Sequence, residues 1–232
     1  MSTPAATQNV DSLRTPRRIP KERPGPAGGK RDENRRRRTD ALCQAALSLF
    51  LERGIAGVTI DDIVREAGMA KGSFYRYFDD KADLVDALIQ PTTQASRAAF
   101  AACEKETTET DSIDGLIAAY QKLAFAFAEI IARDPATVRL YLQECRAPGG
   151  GIRQPVAELA EEVGRAAISL TKIAQERGLL RPCDARISAL TVVGAVERIL
   201  HGVLAAEDFG PQEAIAPALI SLILDGIRVS DR

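Results

Sequence analysis

From Leu42 onward the apolar residues of this chain recur every three or four positions, and no stretch alternates for the length of a strand. That period confines the chain to helices packed on helices. Leu42, Ala45, Ala46, Leu49 and Phe50 form the first stripe, with Gly54 where a left-handed C-terminal cap is expected. Ile60, Ile63, Val64 and Ala67 form the second. It lies behind a Thr59-x-x-Asp62 variant of the capping box, with Val58 and Ile63 at the positions of a hydrophobic staple, and Gly68 ends it. After the turn Gly68, Met69, Ala70, a short helix reaches Phe78. Its apolar face carries Ala70, Phe74, Tyr77 and Phe78, and its other face Gly72, Tyr75 and Arg76. Asp80 caps a fourth segment through Leu84, Ala87 and Leu88, where Pro91 predicts a kink or a break after Gln90. Stripes then run from Ile113 to Ile130, from Pro135 to the Pro148–Gly151 turn, from Val156 to Ala174, and over residues 184–206 and 211–229. The expected architecture is all-α, with about nine helices and no sheet.

The chain is long enough to bury a substantial core, and its 45% hydrophobic and 27% charged residues are ordinary globular values. No uninterrupted apolar run approaches the length of a membrane span, and the N-terminus lacks the apolar segment of a secretory signal. A cytoplasmic protein without membrane contact is expected. Cys43, Cys103, Cys145 and Cys183 are widely spaced, and His201 is the single histidine. These spacings fit neither a disulfide framework nor a metal site, so the cysteines read as small reduced side chains, and no cofactor or metal is expected. His201 reads as an interface or core residue.

Charge is unevenly placed. Between Arg14 and Arg38 stand 11 Lys or Arg against three acids, whereas residues 39–232 hold 20 basic and 28 acidic residues. A basic arm on an acidic body implies a polyanionic partner. Residues 1–34 are rich in Pro and Gly and almost devoid of large apolar side chains, so they read as a disordered basic extension, with order beginning near Arg35.

The short segment GMAKGSFYRYFDDKADL bears three rings and several charges on an element too brief to be stable alone. A capped helix, a three-residue turn and a short helix with a polar free face make a helix-turn-helix, whose second helix enters the major groove. Lys71 at its start can reach a guanine edge or a phosphate, and Gly72 allows close approach. Ser73, Tyr75 and Tyr77 offer neutral hydrogen bonds to phosphate. Phe74 and Phe78 read as anchors of a small three-helix core, while Tyr75 and Arg76 point away from the apolar stripe. Arg35, Arg36, Arg37 and Arg38, at the positive end of the first helix, where cations are disfavoured, are expected on phosphates or in an adjacent minor groove.

The stretch TIDDIVREAGMAKGSFYRYFDDKADLVDALI, with its core A-G-x-x-K-G-S-F-Y-x-Y-F-x-x-K, resembles the DNA-binding signature of the TetR family of bacterial transcriptional regulators. The resemblance spans about Arg35 to Ile89. It implies an all-helical subunit with a DNA-binding domain over residues 35–95 and the helix-turn-helix over about 59–78. A ligand-binding and dimerisation domain over 96–232 is implied, with a homodimer closed by a four-helix bundle from the last two helices. By position, Thr59, Ser73, Tyr75, Tyr77 and Lys81 resemble the family's phosphate contacts. Lys71 and Gly72 fall at its base-reading positions, with Arg76 as an addition. The expected function is sequence-specific regulation, usually repression, of a near-palindromic operator in double-stranded DNA, released by a small and largely apolar effector. Phe100, Tyr120, Phe127 and Tyr141 are the candidate pocket residues. Val196, Leu200, Val203, Leu219, Leu222 and Ile223 are the candidate interface, where Gly194 and Gly202 permit close helix approach. Two other readings are a ligand-independent architectural DNA-binding protein and an all-helical enzyme; the second lacks any phosphate-loop, zinc-protease or nucleophile-elbow motif.

Overall fold

The structure, a computed structural model, describes residues 29–227. The expected disorder of the basic extension lies, for residues 1–28, outside the described residues. Nine α-helices and one 3₁₀ turn, without strands, occupy the described part. They are α1 (Lys30–Arg53), α2 (Ile60–Glu66), α3 (Lys71–Phe74), α4 (Lys81–Glu109), α5 (Ile113–Arg133), α6 (Pro135–Glu144), α7 (Gln154–Glu176), α8 (Ala185–Leu204) and α9 (Gln212–Ile227), with the 3₁₀ turn at Gly151–Arg153.

Most boundaries follow from local chemistry. Asp80, Ser112, Asp134 and Asp184 each accept a hydrogen bond from the backbone N–H three residues on, satisfying a donor the helix leaves unpaired. Thr59 and Asp62 complete the capping box reciprocally. Gly54 has φ of 73° and Gly178 of 72°, a backbone region that favours glycine.

Three boundaries depart from the sequence reading. Helix α1 starts at Lys30, about one turn earlier than expected, with Asp32 and Glu33 in its first turn where acids complement the dipole. Arg36 pairs with Asp32 at 3.1 Å across the next turn. Arg35–Arg38 therefore lie inside the helix and not at its positive end. Helix α4 passes through Pro91 unbroken for 29 residues. The single hydrogen bond lost there is outweighed by packing, because α4 lies against both α5 and α7. Helix α3 is a single turn, with Tyr75 to Tyr77 following in a turn.

One hydrophobic cluster joins the two halves of the chain. Leu42, Phe50, Ile63, Phe74, Leu84 and Ile89 are buried with Leu140 and Tyr141 of α6 and Val156 and Leu159 of α7. Phe74 and Phe78 are buried as expected, their ring centroids 5.6 Å apart. The four cysteines are unpaired thiols; Cys103 is buried and the others half-buried. Burial pushes the Cys43, Cys103 and Cys145 thiols up to about 11, so they stay protonated near neutrality.

Two helices, α5 and α8, are long and apolar enough to cross a membrane, and only 11% of each apolar window is buried within the chain. Counting uninterrupted apolar runs missed them, because Lys122 and Glu129 interrupt α5 and Glu197 and Arg198 interrupt α8. Each nevertheless packs along the body, α5 on α4 and α9, α8 on α6 and α7.

Candidate nucleic-acid interface

The α2–α3 pair owes its geometry to its back. Ile63, Val64 and Phe74 are buried, fixing how α3 lies across α2. The Met69 amide donates to the Val64 carbonyl at 2.7 Å, closing the intervening turn. On the free side, Lys71, Gly72, Tyr75 and Arg76 are exposed, Tyr75 at 38%. No atom lies within 4 Å of a Cβ built on Gly72, so this position is open to a close approach from outside. Ser73 is half-buried, and Tyr77 packs half-buried against the core as its place on the apolar face requires.

Lys71 does not stand alone. Its ammonium donates to the Asp61 carboxylate in the first turn of α2 at 2.8 Å. That hydrogen bond, with the Asp61 charge, holds the Lys71 ammonium above the usual lysine range. The sequence reading did not single out Asp61, since nothing local links residues ten apart across a turn.

Thr59 is exposed, but its hydroxyl is committed to the cap: it donates to Asp62 Oδ2 at 2.7 Å and accepts from the Asp62 amide at 3.1 Å. The hydrogen bonds that the Thr59 hydroxyl and the Thr59 backbone amide donate to Asp62 Oδ2, reinforced by Arg65, hold the Asp62 carboxyl down to about 2. Lys81 is spent differently from the sequence expectation. Its ammonium donates to the carbonyls of Ile55, at 2.9 Å, and Val58, bracing the α1–α2 loop from the start of α4. Burial, then the Arg153 charge, lowers its pKa. Arg36, Arg37 and Arg38 are exposed along α1 and Arg35 is half-buried.

The same loop is gripped from the other half of the chain. The Ile55 amide donates to the buried Glu144 carboxylate of α6 at 3.0 Å, and the Gln143 amide donates to the Phe50 carbonyl at 3.2 Å. Arg153 Nε donates to the other Glu144 oxygen at 2.7 Å. Two domains expected to meet at residue 95 thus share both a core and a buried polar contact.

Three of the four candidate pocket residues come together, and Tyr141 lies apart from them. Phe100 and Phe127 meet edge to face, centroids 5.4 Å apart, with Tyr120 packed nearby against Cys103, Ala119 and Leu170. Tyr141 lies in the core shared with α1 to α4, donating its hydroxyl to Glu197 at 2.8 Å. A cleft of about 260 Å³ between α4 and α7 is lined by Phe100 with Thr93, Ser96, Leu159 and Val163. Arg97 and Glu162, paired through both Glu162 oxygens, also line it.

Of the candidate interface residues, Val196, Leu200, Val203, Leu219 and Ile223 are half-buried and Leu222 is 75% exposed. Ile187 and Leu190 of α8 add to this apolar surface. His201 is exposed in the single chain, so it is not a core residue. Gly202 admits the Phe209 ring of the α8–α9 connection, where a Cβ would meet ring carbons within 2.7 Å; the close approach there is by a side chain and not by a helix.

Residues 42–88 match the family model described as bacterial regulatory proteins, tetR family. The transcriptional repressor KstR2 of Rhodococcus jostii is 44% identical over 54 residues, which cover 23% of this chain and 26% of that protein. The chain thus spans well under half of the length of several curated relatives that it matches. The transcriptional repressor BepR of Brucella suis is 28% identical over 175 residues, 70% of this chain and 80% of that protein. In fold, the chain resembles FadR of Bacillus subtilis, crystallised with stearoyl-CoA, with a TM-score of 0.58 at 18% identity over 82% of this chain and 99% of that one. The exposed Lys71-Gly72 pair, on a helix set by a capped α2, lies within the stretch that matches the tetR family of bacterial regulatory proteins.

Proposed function

We propose that this protein is a sequence-specific transcriptional regulator, most simply a repressor, that binds a near-palindromic operator as a homodimer and releases it when a small apolar molecule binds. The observation that carries the reading is the α3 surface. Lys71, Gly72, Tyr75 and Arg76 are exposed on an element whose buried Phe74 serves only to hold it in place. Such a short helix reads few base pairs, so specificity calls for two copies about one DNA turn apart. The apolar surface of α8 and α9, with Ile187 and Leu222 most exposed, supports a second copy as its cover. The exposed Arg36, Arg37 and Arg38 of α1, together with Arg35, suit phosphates or a minor groove, while Tyr75, Ser73 and Tyr77 flank the reading positions. Thr59 would meet a phosphate only through an oxygen already engaged in its cap.

The cleft at Phe100 is smaller than the roughly 300–1,000 Å³ of sites for drug-sized ligands, so an effector entering there must part α4 from α7. Because α4 also carries Lys81 and hence the α1–α2 loop, such a movement reaches the DNA-binding helices. Two of the relatives are named repressors, and FadR was crystallised with an acyl-CoA; both facts favour repression and a partly apolar effector here. The test is selection from a random duplex pool with purified protein. A palindrome with half-sites one turn apart is expected, and failure to enrich any sequence refutes the reading.

A further inference from the structure

We propose that Asp61 is a specificity-determining residue of the DNA-reading surface, steering Lys71 toward base edges while withholding its charge from phosphates. The inference rests on the DNA-binding reading above. Asp61 and Lys71 are 2.8 Å apart with side chains 58% and 61% exposed, so both stay accessible where α2 and α3 meet. An ammonium has three donors. Asp61 engages one and fixes the direction of the others, which remain for an acceptor such as guanine O6 or N7.

The charge balance of the two surfaces separates their tasks. On the reading surface Asp61 neutralises Lys71, and Asp62 and Arg65 neutralise each other. On α1, Arg35–Arg38 form a basic block with Asp32 as the acid paired to Arg36. Attraction to phosphates is independent of sequence, whereas a directed contact to a base edge is not. An acid beside the reading lysine therefore costs random DNA more than it costs the operator, and this raises the ratio between them.

The experiment compares full-length wild type, Asp61→Asn and Asp61→Ala on the duplex that wild type selects from a random pool and on a random-sequence duplex of equal length. Binding is followed by fluorescence anisotropy over a salt series. For Asp61→Asn, random-duplex affinity is expected to rise by up to about fivefold per subunit, the limit for an exposed ion pair. Its salt dependence should steepen by about one phosphate contact per subunit. The selected duplex should tighten less, so the specificity ratio falls, and Asp61→Ala should lower it further by freeing Lys71 to wander. In a Lys71→Ala background the Asp61→Asn effect should vanish. Equal changes on both duplexes, an unchanged random-duplex affinity, or an effect that persists without Lys71 each overturn the proposal. If wild type selects no sequence at all, the DNA-binding reading falls and takes this inference with it; a selected sequence with an unaltered ratio sinks the inference alone.

Discussion

Replacing Glu144 by Ala should destabilise the protein more than any single change on the exposed side of α3. The carboxylate is 5% exposed, accepts from the Ile55 amide at 3.0 Å and from Arg153 Nε at 2.7 Å, and joins residues 89 apart in sequence. Truncation leaves the Ile55 amide without its acceptor and Arg153, 26% exposed, without its counter-charge. Removing one partner of a buried pair costs about 3–5 kcal/mol. The partial exposure of Arg153 puts this case at the lower end, about 3 kcal/mol, or roughly 6–12 °C of melting temperature for a chain of this size. Glu144→Gln keeps an oxygen for Ile55 but loses the charge and sets an NH2 against the Arg153 donor, so about 1–3 kcal/mol is expected. Arg153→Ala strands a buried carboxylate and should approach the cost of Glu144→Ala, while the double substitution should cost clearly less than the two singles added. The assay is denaturant unfolding followed by circular dichroism at fixed protein concentration, since association with a second copy would make stability depend on it. Additive singles, or a Glu144→Ala melting shift under about 2 °C, would show that the contact holds nothing.

Three further outcomes are expected. Thr59→Ala should cost about 1 kcal/mol by removing the α2 cap; because Asp62 is held below the ordinary carboxylate range, at about 2, the carboxylate part of the wild-type cap is fully present above about pH 4 and is lost as pH falls through 2, so the difference between the two proteins should narrow there, leaving the part due to the Asp62 amide. Changing Arg35–Arg38 to Ala should flatten the dependence of log affinity on log salt, near −9 if a dimer covers about ten phosphates; an unchanged slope removes α1 from the interface. Leu222→Glu, at a position 75% exposed in the single chain, should yield monomers in analytical ultracentrifugation and weaken operator binding, and an unaltered dimer excludes this face as the contact.

What could be read in the sequence was what local chemistry determines. The Thr59–Asp62 cap, the Gly54 termination and the Asp80 cap each involve residues within four positions, and each is found. Phe74 and Phe78 followed from helical period, as did the exposure of Tyr75 and Arg76. Of the kink or break that Pro91 allowed, the break does not occur, because packing on both sides of α4 outweighs the hydrogen bond lost. The early start of α1 was missed for the opposite reason: its composition is polar, so no apolar stripe announced it, and acids in the first turn with one Arg36–Asp32 pair supplied the signal. Lys81 and Glu144 were opaque because their partners lie 23 to 89 residues away, and the side chains alone do not tell a lysine aimed at phosphate from one aimed at a carbonyl.

Those distant contacts bear on how the proposed regulator would respond to a ligand. A helix of four residues cannot hold its own conformation, so α3 takes its position from the core behind Phe74 and from the loop that leads into α2. That loop is held by Lys81 from α4 and by Glu144 from α6, with Gln143 of α6 on the last turn of α1, while α4 and α7 flank the cleft at Phe100. Packed interiors do not stretch, so a displacement of α4 or α6 must either carry the loop along or break its hydrogen bonds. A ligand shifts the balance between two such arrangements only by its difference in affinity for them. A variant that weakens the grip, such as Glu144→Gln, should therefore let the DNA-binding helices move without a ligand. Its operator affinity should fall while its salt dependence, set by phosphate contacts that are still made, stays the same; a fall in both would mean that contacts were lost outright.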